Sequence, residues 1–243
     1  NYKKIRGDPL IMKAFIQTFK YAFLTVPLEL IFALFIAYIL NFKIKGVNFF
    51  RTAYYIPSIL GGSVSIAVLW RFLFKTEGLV NMIASRFGIQ PFNWLGDPGG
   101  AFWVIVFLKI WQFGSPMVIF LAALKGVSKD LYEAAEIDGA NRWQQIVNIT
   151  IPSLVPMITV MLLLSVGNIM RSDTGLFYQV TRNSGQLYST TQVIDSYVLN
   201  AIFKNSNFGF VAATTFFQSV VGLLMMLLAN GAVRKIAPEN ALF

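Results

Sequence analysis

Five stretches of this chain are long and apolar enough to cross a lipid bilayer, over residues 15–40, 53–74, 101–124, 152–170 and 210–229. That leaves few folds open. A spanning helix needs roughly 20 mostly apolar residues. Hydrocarbon offers no hydrogen bonds, so backbone groups inside it must pair within helices or around a closed barrel. Runs of this length predict helices, and the predicted fold class is all-α, a polytopic membrane protein. The composition agrees: 56% of residues are hydrophobic and 13% charged, where a soluble domain carries about 45–50% and about 25%.

Several kinds of chemistry are excluded. The chain has no Cys and no His, hence no disulfide, no thiolate, no zinc site built on those ligands and no His general base. Carboxylates remain, but without a constellation; Glu133 and Asp138, five residues apart, do not meet on a helix. The net charge of +9 does not point to nucleic acid. The cations sit beside apolar spans and form no run, as expected of flanks meeting anionic headgroups. No repeat, low-complexity tract or signal peptide is evident, so a single domain is expected. Residue 1 is Asn, and an upstream piece with room for another helix is expected.

Two connections carry short elements. Residues 79–87 have helical spacing of apolar side chains, before turn signals at Pro91, Gly96, Pro98, Gly99 and Gly100. Residues 171–208 read as a longer polar segment with one short helix over 191–203.

The connection over residues 125–151 is different in kind. Ser128 is placed to N-cap a helix, with Asp130 in its first turn. Leu131, Ala134, Ala135 and Asp138 then share one face. The two alanines keep that face thin, so that a partner backbone can approach. Gly139 is suited to end the helix in a left-handed turn. Asn141 is suited to cap a second short helix through Trp143, Ile146 and Ile149, and Pro152 to open the next span, where its missing N–H costs little. The expected product is two short helices at an angle, tied to the third and fourth spans.

Glu133, Ala134, Ala135, Asp138, Gly139, Ala140, Ile149 and Pro152 stand at the spacing of the EAA loop of ABC-importer permeases, and the stretch closely resembles it. Arg142-Trp143-Gln144-Gln145 also looks like carbohydrate-family members. Ile151 replaces the usual Leu, and Ile146 stands where Phe is common; both stay apolar. The resemblance extends along the chain through Asn1-Tyr2-Lys3-Lys4, Asp8-Pro9, Val26-Pro27-Leu28, Tyr55-Ile56-Pro57 and Gly78-Leu79-Val80-Asn81. Residues 175–180 and 193–197 are similar to permeases of polysaccharide-fragment importers.

The resemblance implies a type I importer permease core of about five transmembrane helices. It implies a lead-in over 1–14, a permease domain over 15–232 holding the coupling loop 125–151, and a cytoplasmic tail over 233–243. It implies a plasma-membrane location, a homologous permease partner, two ATPase subunits, an external solute-binding protein and an oligosaccharide as substrate. ATP and magnesium would belong to the ATPase; no Walker sequence is present here, and no cofactor or catalytic residue is expected on this chain. The ATPase-coupling residues carried over are Glu133, Ala134, Ala135, Asp138, Gly139, Ala140 and Pro152.

Orientation is open on charge alone. A cytoplasmic 125–151 loop puts Lys43, Lys45, Arg51, Lys125, Lys129, Arg142, Arg234 and Lys235 inside and Lys75, Arg86, Arg171, Arg182 and Lys204 outside, and on these loops the positive-inside rule agrees. It also puts Lys3, Lys4, Arg6, Lys13 and Lys20 outside, against that rule. The loop motif decides for the first arrangement.

Polar residues inside spans are costly and call for a role. Glu29 and Lys109 read as a helix–helix pair or a snorkelling end. Trp111, Gln112, Asn168, Arg171 and Tyr178 suit a sugar pathway, and equally interhelical hydrogen bonding and rim packing. Gly61-Gly62 reads as a close helix contact, since no phosphate-loop Lys follows. The alternatives are a permease for another solute class, a self-contained secondary transporter (for which no repeat is seen) and a membrane enzyme.

Overall fold

The computed structural model describes residues 8–42, 45–61, 63–171, 174–205 and 208–242. Every regular element among them is helical. Four helical stretches pass as spans, Pro9–Asn41, Pro98–Gly126, Arg142–Gly167 and Phe208–Lys235, and a fifth is reached if two shorter helices over 47–86 form one broken span. The described residues pack as two units.

The first unit holds the chain through Thr25, Leu60–Trp111 and Gly167–Leu224. It contains the start of α1 (Pro9–Asn41), α3 (Val64–Phe74), α4 (Leu79–Arg86), α5 (Pro98–Trp111), α10 (Thr174–Thr181), α11 (Tyr188–Thr191), α12 (Ile194–Asn205) and most of α13 (Phe208–Ile236). One core joins Trp70 and Phe74 of α3, Val104 and Leu108 of α5, and Leu176 and Phe177 of α10. A second joins Ile11, Ala14 and Ala22 of α1 to Met170, Ile194 and Phe210.

The stretch over 171–208 therefore departs from the expected polar connection. It forms three helices, and Leu176, Phe177, Leu187, Val193 and Ile194 are buried. Long-range bonds hold it: the Ile194 N–H donates to Thr18 Oγ1 at 3.0 Å, and the Thr190 hydroxyl to the Pro98 carbonyl. The Tyr197 hydroxyl donates to Asp8 Oδ2 at 2.7 Å. Burial, then the bond to that carboxylate, pushes the Tyr197 phenol up to about 12, so it remains a donor.

Asn81 organises the connection after α3. It is buried, and its amide donates to the carbonyls of Thr76 (2.9 Å) and Phe92 (2.8 Å). Its oxygen accepts from the Phe92 N–H and from Trp94 Nε1 at 3.0 Å. Both ends of a buried amide are thereby satisfied.

The second unit holds Val26–Ile59, Gln112–Val166 and the chain from Met225. Leu30, Ala33, Ala37 and Leu40 form one stripe of α1 at helical spacing. They pack with Met117, Phe120 and Leu124 of α6 (Gly114–Gly126) and Leu154 of α9 (Ile151–Gly167). A Cβ on Gly114 would lie 2.4 Å from the Tyr54 carbonyl oxygen of α2 (Val47–Leu60), so only glycine admits that approach. Arg51 donates to the Leu40 carbonyl at 3.0 Å, near the end of α1.

Boundaries moved where polar residues masked a helix. α1 begins at Pro9, six residues before the expected span, and residues 9–14 form its first turns. Lys13 and Lys20 had broken the apolar pattern there. The predicted second span divides at residues 61–63, where Ser63 caps a new helix through the Ile66 N–H. Gly61 lies in a turn; Gly62 and residues 1–4 lie outside the described residues. α13 runs on to Ile236, and the Leu242 N–H donates to Asn230 Oδ1 at 2.8 Å, bringing the expected tail back onto its own helix.

Candidate functional site

Residues 128–152 belong to the second unit. The Ser128 side chain accepts from the Asp130 N–H at 3.2 Å and starts α7 (Lys129–Ile137). No residue of α7 is buried. Its end is a Schellman turn: Gly139 sits at φ +78, the Ala140 N–H reaches the Ala135 carbonyl at 2.8 Å, and the Gly139 N–H reaches that of Glu136 at 3.1 Å. A Cβ on Gly139 would meet nothing within 4 Å, so backbone conformation, not space, asks for glycine.

Asn141 then closes a capping box. Its side chain accepts from the Gln144 N–H at 2.9 Å, and the Gln144 side chain accepts from the Asn141 N–H at 2.7 Å. Here the structure corrects an expectation. The second helix, α8 (Arg142–Gln145), does not stand apart from the fourth span. It passes through a π-turn over Ile146–Thr150 directly into α9, giving one helical stretch from Arg142 to Gly167. Pro152 consequently lies inside that stretch and not at its free first turn. The wide turn comes just before it: the Ile151 N–H bonds the Ile146 carbonyl five residues back. A proline cannot donate in the ladder, and a π-turn absorbs the missing bond without breaking the helix.

Two contacts tie α7 to this stretch. Tyr132 Oη and Thr150 Oγ1 lie 2.9 Å apart. Arg142 and Glu136 make an ion pair at 3.7 Å, both side chains exposed; such pairs contribute about 0–1 kcal/mol. Glu133, Ala134, Asp138, Gly139 and Pro152 are exposed, and Ala135 and Ala140 half-buried. Beside them Leu131, Ile137 and Trp143 are 50%, 87% and 70% exposed. Apolar side chains on a polar, well-capped element are a ready contact surface.

The five expected pathway residues lie on several elements. Trp111 ends α5, half-buried, its ring 5.9 Å from that of Trp70, which stacks on Phe74 at 5.1 Å. Gln112 follows in the interruption between α5 and α6; it is 7% exposed, and its Nε2 has no hydrogen-bond partner among the described residues. Tyr178 is half-buried on α10. Asn168 is exposed, and its carbonyl accepts from the Arg171 N–H at 2.8 Å. Arg171 lines a cavity of about 300 Å³ in the first unit, with Asp195, Val198, Thr215, Gln218 and Ser219.

Asp195 and Gln218 escaped the sequence reading. Gln218 is 6% exposed; its amide donates to the Met170 carbonyl at 3.1 Å and to Asp195 Oδ1 at 2.6 Å. The signal for it was available, as a lone amide in the apolar run after Phe216-Phe217. Asp195 had no such mark. Among the described residues no group of three or more carboxylates could hold a metal. What the cavity offers is hydrogen-bond exchange.

Known proteins match this chain over nearly its whole length. The "Probable ABC transporter permease protein YesP" of Bacillus subtilis is 38% identical over 231 residues, covering 94% of this chain and 74% of that protein. The "Probable starch degradation products transport system permease protein AmyD" of Thermoanaerobacterium thermosulfurigenes is 32% identical, over 84% of this chain and 68% of that one. A chain in the crystal structure of a bacterial ABC transporter involved in the import of the acidic polysaccharide alginate superposes with a TM-score of 0.87 at 26% identity, covering 97% of this chain and 83% of that chain. With the family model matching residues 9–238, the chain belongs to the family described as the binding-protein-dependent transport system inner membrane component.

Proposed function

We propose that this chain is the permease subunit of a bacterial ABC importer, moving an oligosaccharide delivered by an external solute-binding protein. A homologous permease completes the pathway, and two ATPase subunits bind ATP and magnesium and dock on residues 128–150. The observation that carries this reading is α7. A nine-residue helix with no buried residue has little stability of its own. Here it is capped at both ends, presents apolar side chains to solvent and is joined through the Gly139 turn and the Asn141 cap to a 26-residue span from Arg142 to Gly167. Such an element passes a rigid-body push from a docked partner into the membrane.

In this mechanism ATP binding closes the ATPase dimer and carries α7 with it. The Tyr132–Thr150 contact and the continuous helix from Arg142 hand the displacement to the fourth span. The pathway then opens outward and receives sugar, with Gln112, Asn168, Arg171, Trp111 and Tyr178 as candidate contacts. The buried Nε2 of Gln112 supports that role for one of them, because a buried donor without a partner costs about 1–3 kcal/mol, which a sugar hydroxyl would recover. The named relatives for starch products and alginate support a sugar over another solute class.

The chain has no cysteine, so Ala134→Cys gives a single reactive site. In the assembled importer it should form a disulfide with a cysteine placed on the ATPase surface, with a yield that changes on adding ATP. No crosslink from any position across 131–138, in an importer that still takes up sugar, would sink the docking claim.

A further inference from the structure

We propose that the cavity between the 168–171 turn, α12 and α13 is a subsite for one ring of the transported sugar, with Asp195 and Gln218 as specificity-determining residues beside Arg171. The proposal rests on the oligosaccharide reading above. It goes beyond it in naming a site and residues that neither the motif nor family membership assigns.

The cavity's size fits one ring. Ligand pockets span about 300–1,000 Å³, and this one, at about 300 Å³, lies at the lower end. Its chemistry fits as well. A sugar ring presents neighbouring hydroxyls, each both donor and acceptor, and planar groups with paired donors or acceptors match two at once. Arg171 supplies the donor fork and Asp195 the paired acceptors. Thr215 and Ser219, one helical turn apart on α13, supply hydroxyls, and Val198 gives a wall for the ring's C–H face.

The site is also held in place. Gln218 is anchored to the Met170 carbonyl and to Asp195 Oδ1, which fixes the carboxylate against the base of the cavity. Asp195 stands in the first turn of α12. Ser219 donates to the Thr215 carbonyl at 3.0 Å, which turns its oxygen lone pairs outward as acceptors. Groups ordered before the ligand arrives lose little entropy on binding it.

The test uses the whole importer in proteoliposomes with its binding protein, and two labelled probes, maltotetraose and a tetrasaccharide of alginate. Sugar moved per ATP hydrolysed is measured for wild type, Asp195→Asn, Arg171→Gln and Thr215→Val. Co-purification with the partner subunits at wild-type stoichiometry serves as the folding control. Asp195→Asn is isosteric, and Thr215→Val alters an exposed hydroxyl, so loss of the fold cannot account for all three. The expected result is a fall of roughly tenfold for Asp195→Asn and Arg171→Gln, the size of one charge-assisted hydrogen bond, with a smaller fall for Thr215→Val. The ranking of the two probes should also change in Asp195→Asn. Unchanged ratios and ranking in assembled complexes overturn the subsite while leaving the importer reading intact. A wild-type importer that moves neither sugar overturns the oligosaccharide reading, and the subsite falls with it.

Discussion

The two segments that flank α9 are opposites. Residues 128–144 are largely exposed and held mostly by bonds reaching no more than five residues: the Ser128 cap, the Schellman turn at Gly139 and the Asn141–Gln144 box. The segment over 174–205 buries Leu176, Phe177, Leu187, Val193 and Ile194 and is tied to distant positions, Thr18 to Ile194 and Asp8 to Tyr197. A segment that must meet a partner keeps its own shape from local rules and leaves its surface unused. A segment that fills a core takes its shape from what it packs on. The contrast makes predictions that differ in size and in kind.

The largest effect belongs to Gly139→Pro. Proline fixes φ near −65°, and this position needs φ +78. The reversal between α7 and α8 is lost while the spans still insert. Sugar uptake should disappear at normal membrane levels of the protein. Gly126→Ala, at a helical glycine with open space around it, should leave uptake unchanged. Equal uptake by both variants would show that the exposed element transmits nothing.

The buried segment should fail differently. Thr18→Val takes away the acceptor for the Ile194 N–H in a fully buried position. An orphaned buried donor costs about 1–3 kcal/mol. The melting temperature of the detergent-purified importer should fall measurably. An unchanged melting temperature would mean that α12 is held by apolar packing alone.

The same contrast accounts for what could be read beforehand. Ser128, Gly139 and Asn141 were legible because caps and left-handed turns follow from residue type and spacing within a few positions. The spans were legible because bilayer thickness fixes their length. Of the helices over 174–205 only α12 was, as the short helix expected over 191–203; α10 and α11 were not, because they are short and their buried faces become visible only against α3 and α5. Nor was the π-turn, since Pro152 looked like a helix start and the continuity from Arg142 depends on Thr150, Gln145 and Tyr132 meeting in space. The cavity joins Arg171, Asp195 and Gln218 across 47 residues of chain, a closeness that no spacing rule contains.

A smaller and strictly local loss is expected from Ser128→Ala. Removing an N-cap costs about 0.5–2 kcal/mol of helix stability. With no residue of α7 in a core, the cost should stay within that helix. Hydrogen exchange at the amides of residues 129–132 should speed up while the melting temperature holds. A fall in melting temperature comparable to that of Thr18→Val would mean that α7 is part of the folding core after all.

The smallest effect should come from Tyr132→Phe, which cuts the side-chain bond from α7 to the π-turn and leaves every cap in place. A partly exposed hydroxyl pair contributes about 0.5–1.5 kcal/mol, and Thr150 keeps its contact with the Gln145 carbonyl at 3.4 Å. Uptake should persist, with a modest rise in ATP hydrolysed per sugar moved, since α7 would follow the partner but pass less of its displacement to the fourth span. If Tyr132→Phe abolished uptake as completely as Gly139→Pro, the push would have to travel through this one contact and not through the backbone from Gly139 to Arg142. The element would then depend on tertiary structure as much as the buried segment does, and the division between the two segments would not hold.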